Sequence, residues 1–233
     1  MPRSAAAMIV AALLTCAAVA WAITIQQSSS MATGSFAMMA SGLFLVTWVV
    51  MMIAMMFPSV APITLAFAGV TRSRGQGYAP TAAFVLGYLA VWAAAGLVPL
   101  GALLLLRQLS IPAPLLVRLT GAVIAVAGVY QFTPLKTACL RACRSPLGFV
   151  MTHDFGGGST SAVRAGILHG LFCLGCCWAL MAVLAVLGLM SLGWMAIIAA
   201  VFFVEKNLRI GDMLPAGVGV VCILGGVLLL VIA

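Results

Sequence analysis

The stretch GILHGLFCLGCCWALM, Gly166 to Met181, puts a histidine, three cysteines and a methionine into a run free of acidic and basic residues. On an α-helix, residues four apart share a face. His169, Cys173, Cys177 and Met181 therefore form a continuous ladder, and Cys176, three residues from Cys173, joins it. One stripe offers an imidazole, three thiols and a thioether. Soft sulfur donors select Cu(I), zinc or iron–sulfur chemistry, and the thioether favours Cu(I) over zinc. No carboxylate lies near the stripe, which sets aside Mg, Ca and Mn. A single cysteine in an apolar helix reads as a small buried hydrophobe. Three of them beside a histidine, a residue that is costly inside a membrane, read as a site.

A second pair, Cys139 and Cys143 in CLRAC, also shares a face if its segment is helical. Lys136, Arg141 and Arg144 surround it. Nearby positive charge lowers a thiol pKa, so these two are expected as thiolates that take metal from the cytoplasmic side. In TWVVMMIAMMFP, Met51 and Met55 share one face and Met52 and Met56 another. Such stripes commonly serve as adaptable packing. Beside a His/Cys stripe, Met55, Met56 and Met181 also become weak, exchangeable ligands. Glu205 and Lys206 read as an interfacial ion pair with the lysine snorkelling, or else as a carboxylate supporting the ligands. His153 and Asp154 fall in a polar loop, and Tyr130 closes an apolar run as an aromatic-belt residue would. There is no phosphate-cradling glycine loop, no Ser-His-Asp arrangement and too few carboxylates for paired acid–base work. No catalytic residues are expected, and the protein is read as a non-enzyme.

The elements that must position these residues are membrane spans. The 233 residues are 65% hydrophobic and 6% charged, against about 25% charged in soluble domains. The mean hydropathy is +1.29. At ~1.5 Å per residue, about 20 apolar residues cross a bilayer. Apolar runs at 5–25, 36–70, 79–106, 113–132, 163–189, 192–208 and 213–232 predict an all-α, polytopic bundle of six or seven spans. Pro58 and Pro62 in the second run predict one kinked helix or a span plus an interfacial turn, and Pro99 interrupts the third. The whole chain reads as a single integral membrane domain without internal repeats. The first run, within 1–25, ends in an Ala-x-Ala-like sequence that would suit cleavage, but its length favours a retained span. Gly166, Gly170, Gly175 and the glycines of the last run suit tight helix packing.

The net charge of +8 lies in loops, without aromatic interleaving. It fits anionic headgroups, and nucleic acid is excluded as a partner. With the N-terminus in the cytoplasm, only Arg107 and Arg118 of the 11 basic residues face outward. Seven cysteines, an odd number and none in a long external loop, argue against a secreted disulfide framework.

TWVVMMIAMMFPSVAP, YQFTPLKTACLRACRSPLGF, GILHGLFCLGCCWALM and FFVEKN occur in this order over about 40–210. In these motifs the chain resembles a bacterial family of metal-binding integral membrane proteins sometimes described as copper chaperones. The resemblance implies a bacterial inner-membrane protein with a copper site at Met55, Met56, Cys139, Cys143, His169, Cys173, Cys176 and Cys177. It also marks Trp48, Lys136, Trp178, Met181, Glu205 and Lys206. The function expected is Cu(I) storage or delivery to a partner protein. The alternatives are an accessory subunit of a membrane enzyme complex and an intramembrane thiol–disulfide oxidoreductase.

Overall fold

Every regular element of the described residues is a helix, so the fold is all-α. The computed structural model describes residues 2–31, 41–109, 111–146, 148–149, 158–189, 191–208 and 213–232. His153, Asp154, Gly156, Gly157 and Arg209 lie outside them. The helices are α1 (Arg3–Met31), α2 (Ser41–Ser73), α3 (Ala79–Ala95), α4 (Leu97–Gln108), α5 (Ala113–Tyr130), α6 (Pro134–Arg144), α7 (Ser159–Gly188), α8 (Leu192–Asn207) and α9 (Leu214–Ile232).

Six helical stretches among the described residues are long and apolar enough to cross a membrane: Arg3–Ser28, Ser41–Ser73, Ala79–Gln108, Ala113–Tyr130, Ser159–Gly188 and Leu214–Ile232. The seventh apolar run, α8, is shorter. Its 16 residues rise about 24 Å, from near the end of α7 back to the level of Cys173, midway along α7. The outer surface is rich in large apolar side chains, with Val98, Val221 and Val231 each more than two-thirds exposed.

The two proline-bearing runs resolve differently. The second is one continuous helix through Pro58 and Pro62. Pro58 has no N–H, so the carbonyl of Ala54, four residues earlier, loses its helical donor. The indole of Trp21 on α1 donates to that oxygen at 3.0 Å and satisfies it. The third run breaks into α3 and α4 at Gly96, three residues before Pro99. Trp48 packs against the break and donates its indole N–H to Trp92 O at 2.8 Å. A Cβ on Gly96 would lie 2.6 Å from the Trp48 ring, so the bare glycine admits the indole.

Close helix approach elsewhere also depends on missing side chains. Gly166 sits against the backbone of Phe84 on α3, and Gly170 against Val91. Gly128 of α5 faces Gly219 of α9, and Gly121 faces Gly226, so these two helices run antiparallel in backbone contact. The main core lies between α2, α3, α7 and α8, where Met52, Met55, Met56, Phe84, Cys177, Leu184 and Phe202 are buried.

Candidate metal centre

α6 carries the first cysteine pair to the centre. Thr133 caps the helix, accepting from the Lys136 backbone N–H at 3.3 Å, and Pro134 opens its first turn. Lys136, Cys139, Leu140 and Cys143 then recur at i, i+3, i+4, i+7 and form its buried stripe. Cys139 rests on Gly175 of α7, where a Cβ would lie 2.6 Å from its sulfur. The Cys143 and Cys176 sulfurs are 3.9 Å apart.

The spacing in α7 does what its periodicity predicts. His169, Cys173, Cys176, Cys177 and Met181 are all buried. Cys176 and Cys177 have their sulfurs 3.3 Å apart, and the Cys176 thiol donates to Cys173 O at 3.1 Å. Cys173 is within thiol–thiol hydrogen-bonding reach of Cys143, Cys176 and Cys177. The two cysteine groups, some 30 residues apart in sequence, thus form one buried cluster across the α6–α7 contact. Cys16 is exposed on α1 and Cys222 half-buried on α9.

Three further groups touch Cys173 or its surroundings. The Tyr88 hydroxyl of α3 lies 3.2 Å from its sulfur. The Lys206 ammonium of α8 donates to the same sulfur at 3.1 Å and to Met56 Sδ at 3.7 Å. His169 sits one turn before Cys173 among aromatic rings, its centroid 6.0 Å from Phe84, 5.9 Å from Tyr88 and 5.3 Å from Phe149. Its Nδ1 is buried and has no hydrogen-bond partner among the described residues. A buried polar atom without a partner is costly, and an imidazole nitrogen is a good soft-metal donor.

Among the described residues, no three His, Cys, Asp or Glu side chains converge as they stand on a common point that would hold a metal ion. The donors are gathered, but coordination requires side-chain rotation. Met55 and Met181 are buried in the same core, while the Met56 sulfur meets a charged group.

The expectation for Cys139 and Cys143 needs correction. Both thiols are buried, and both are held above the ordinary thiol range. Burial raises Cys139. For Cys143 the hydrogen bond with Cys173 is the largest cause, and burial adds to it. Two of the neighbouring cations expected to lower them are engaged elsewhere. Lys136 Nζ lies 3.0 Å from both Glu205 oxygens and also donates to Gln131, and Arg144 Nε donates to Glu205 O. A cavity of about 420 Å³ beside α6 is lined by Lys136, Arg141 and Arg144 but by no cysteine.

Glu205 and Lys206 are likewise not paired with each other. Adjacent helical residues diverge by about 100°. Glu205 turns to α6, and Lys206 to the thiols. Tyr130 is no belt residue: it is buried, donates to Gly175 O at 2.7 Å and meets Trp178 edge-on. Tyr88 was not anticipated from sequence. Its signal was a phenol in an apolar span, which needs a partner for its hydroxyl.

Fold and site together define an α-helical bundle of membrane-length helices closed around a buried thiol cluster. The chain belongs to the PpoB2 family, described as copper chaperone, whose model matches residues 45–229. The match takes in α9, beyond the stretch carried by the four sequence motifs. No curated protein and no solved structure matches the chain.

Proposed function

We propose that this protein is a membrane-embedded Cu(I)-binding protein that stores copper or hands it to a partner protein. The observation that carries this reading is the meeting of Cys143 with Cys173, Cys176 and Cys177 in one buried cluster. Thiolates bind Cu(I) strongly, and thioether and imidazole add exchangeable donors. Met56 and His169 supply these within reach of a side-chain rotation. The family description names copper as the cargo.

Delivery needs only ligand exchange. In this reading Cys139 and Cys143 on the short α6 receive the ion, and the α7 thiols hold it. α6 meets α7 where Cys139 rests on Gly175, and the Lys136–Glu205 pair ties it to α8. The apolar exterior fits a lipid bilayer, the basic loops favour a cytoplasmic N-terminus, and the resemblance to a bacterial family implies the inner membrane.

The test is metal content of the detergent-purified protein, loaded with Cu(I) under reducing conditions and measured by elemental mass spectrometry. One or two copper ions per chain are expected. The Cys173→Ser/Cys177→Ser variant should lose them, and His169→Ala should bind more weakly. Equal copper in all three proteins would overturn the proposal.

A further inference from the structure

The buried ammonium of Lys206 is the unusual feature of this centre. Its two hydrogen-bond acceptors among the described residues are both sulfur, Cys173 Sγ at 3.1 Å and Met56 Sδ at 3.7 Å. No carboxylate answers it there. Glu205, its neighbour in sequence, is turned to Lys136. The other groups near Cys173 are the thiols of Cys143, Cys176 and Cys177 and the Tyr88 hydroxyl, so the only negative charge facing the ammonium there is what the thiols themselves carry. A monovalent cation therefore already sits between a thiol from α7 and a thioether from α2, the two kinds of sulfur that Cu(I) favours.

We infer that Lys206 sets the charge of the metal this centre accepts, holding the sulfur pair for a monovalent ion and discriminating against divalent ones. The inference rests on the copper-binding reading and adds to it a residue that decides specificity. Its physics is Coulombic. A fixed positive charge about 5 Å from a bound ion repels a dication twice as strongly as a monocation, and burial keeps that repulsion from being screened. The thiolates alone do not separate Cu(I) from Zn(II), since they bind both tightly, and the Met56 thioether adds only a weak preference for Cu(I). Lys206 supplies the missing term. An incoming Cu(I) displaces the ammonium from Cys173 and Met56, and the stem swings aside while the charge stays near. For Zn(II) the same displacement leaves one more positive charge beside the ammonium than Cu(I) does.

The arithmetic gives a sharp readout. If removing the lysine charge strengthens Cu(I) binding by some factor, Zn(II) binding strengthens by the square of that factor. Any change in the proton occupancy of Cys173 enters both affinities alike and leaves their ratio untouched.

The experiment measures Cu(I) and Zn(II) affinities of the full-length detergent-purified protein by competition with chromophoric chelators. Wild type, Lys206→Gln and Lys206→Arg are compared, and Lys206→Leu replaces the glutamine variant should that one fail to fold. The Cu(I)-to-Zn(II) affinity ratio should fall by about tenfold or more when the charge is removed, and Lys206→Arg should keep the wild-type ratio. A lysine that only supports packing would weaken both metals together. An unchanged ratio in the neutral variant, or an equal fall in the arginine variant, overturns the inference while leaving copper binding intact. Absence of Cu(I) binding by the wild-type protein would instead remove the function on which it rests.

Discussion

Lys136 on α6 and Glu205 at the end of α8 form a fully buried ion pair, with the ammonium 3.0 Å from each carboxylate oxygen. The residues are 69 positions apart, and their contact ties α6 to α8. Removing one partner of such a pair leaves an uncompensated buried charge, which costs about 3–5 kcal/mol. Glu205→Gln should therefore lower the thermal midpoint in detergent well below that of the wild type. Lys136→Met/Glu205→Met removes both charges and should recover most of the loss. A double variant as unstable as the single one would mean that the charges themselves, rather than their pairing, are needed.

The contact between Cys143 and Cys176 makes a second prediction. With their sulfurs 3.9 Å apart, a short dithiol-specific reagent such as an arsenoxide should bridge α6 to α7. A protease site inserted between 149 and 158 would split the chain into two fragments. These should stay joined on a denaturing gel after bridging, and should separate in Cys143→Ser. Separation in the parent protein would show that the two cysteine groups do not meet.

That meeting marks the limit of what the sequence carries. The spans are legible because each needs about 20 apolar residues in a row, and the α7 stripe because i, i+4 spacing is a local property. Cys139 and Cys143 share a face for the same reason. Nothing local tells α6 to fold back onto α7, since that depends on Gly175 leaving room for Cys139 and on Glu205 answering Lys136 from a distant helix. The basic residues around CLRAC suggested activated thiolates because sequence shows charges but not their partners. Glu205–Lys206 looked like a pair for a similar reason, although adjacent helical positions point about 100° apart. Pro58 and Pro99 were equally visible, yet one helix continues and the other breaks. Trp21 rescues the freed carbonyl in the first case, whereas Gly96 and Trp48 shape a break in the second.

The Trp21 rescue can be tested by a double-mutant cycle. Trp21→Phe removes the indole donor to Ala54 O and should cost about 1–3 kcal/mol, because the carbonyl is left without a partner. Pro58→Ala restores the helical N–H that this carbonyl lacks. In that background the same Trp21→Phe change should cost much less. Thermal midpoints of the four proteins give the coupling, and purely additive effects would assign Trp21 to packing alone.

Cys139 carries the pH prediction. Burial raises its thiol above the ordinary range, so the folded state favours the protonated form. The unfolded chain releases that proton from about pH 8.5 upward. The stabilisation is therefore fully present below about pH 8.5 and is lost as pH rises from there through the higher value of the folded protein. Alkylation by N-ethylmaleimide follows the thiolate, so the rate at Cys139 should still be climbing where a free thiol has levelled off. Peptide mass spectrometry reads this rate, with a free cysteine peptide added as the reference thiol. The thermal midpoint of the wild type should also fall more steeply above pH 8.5 than that of Cys139→Ala. An alkylation profile that levels off below pH 8 would contradict burial as the controlling influence and restore the neighbouring cations as the dominant one.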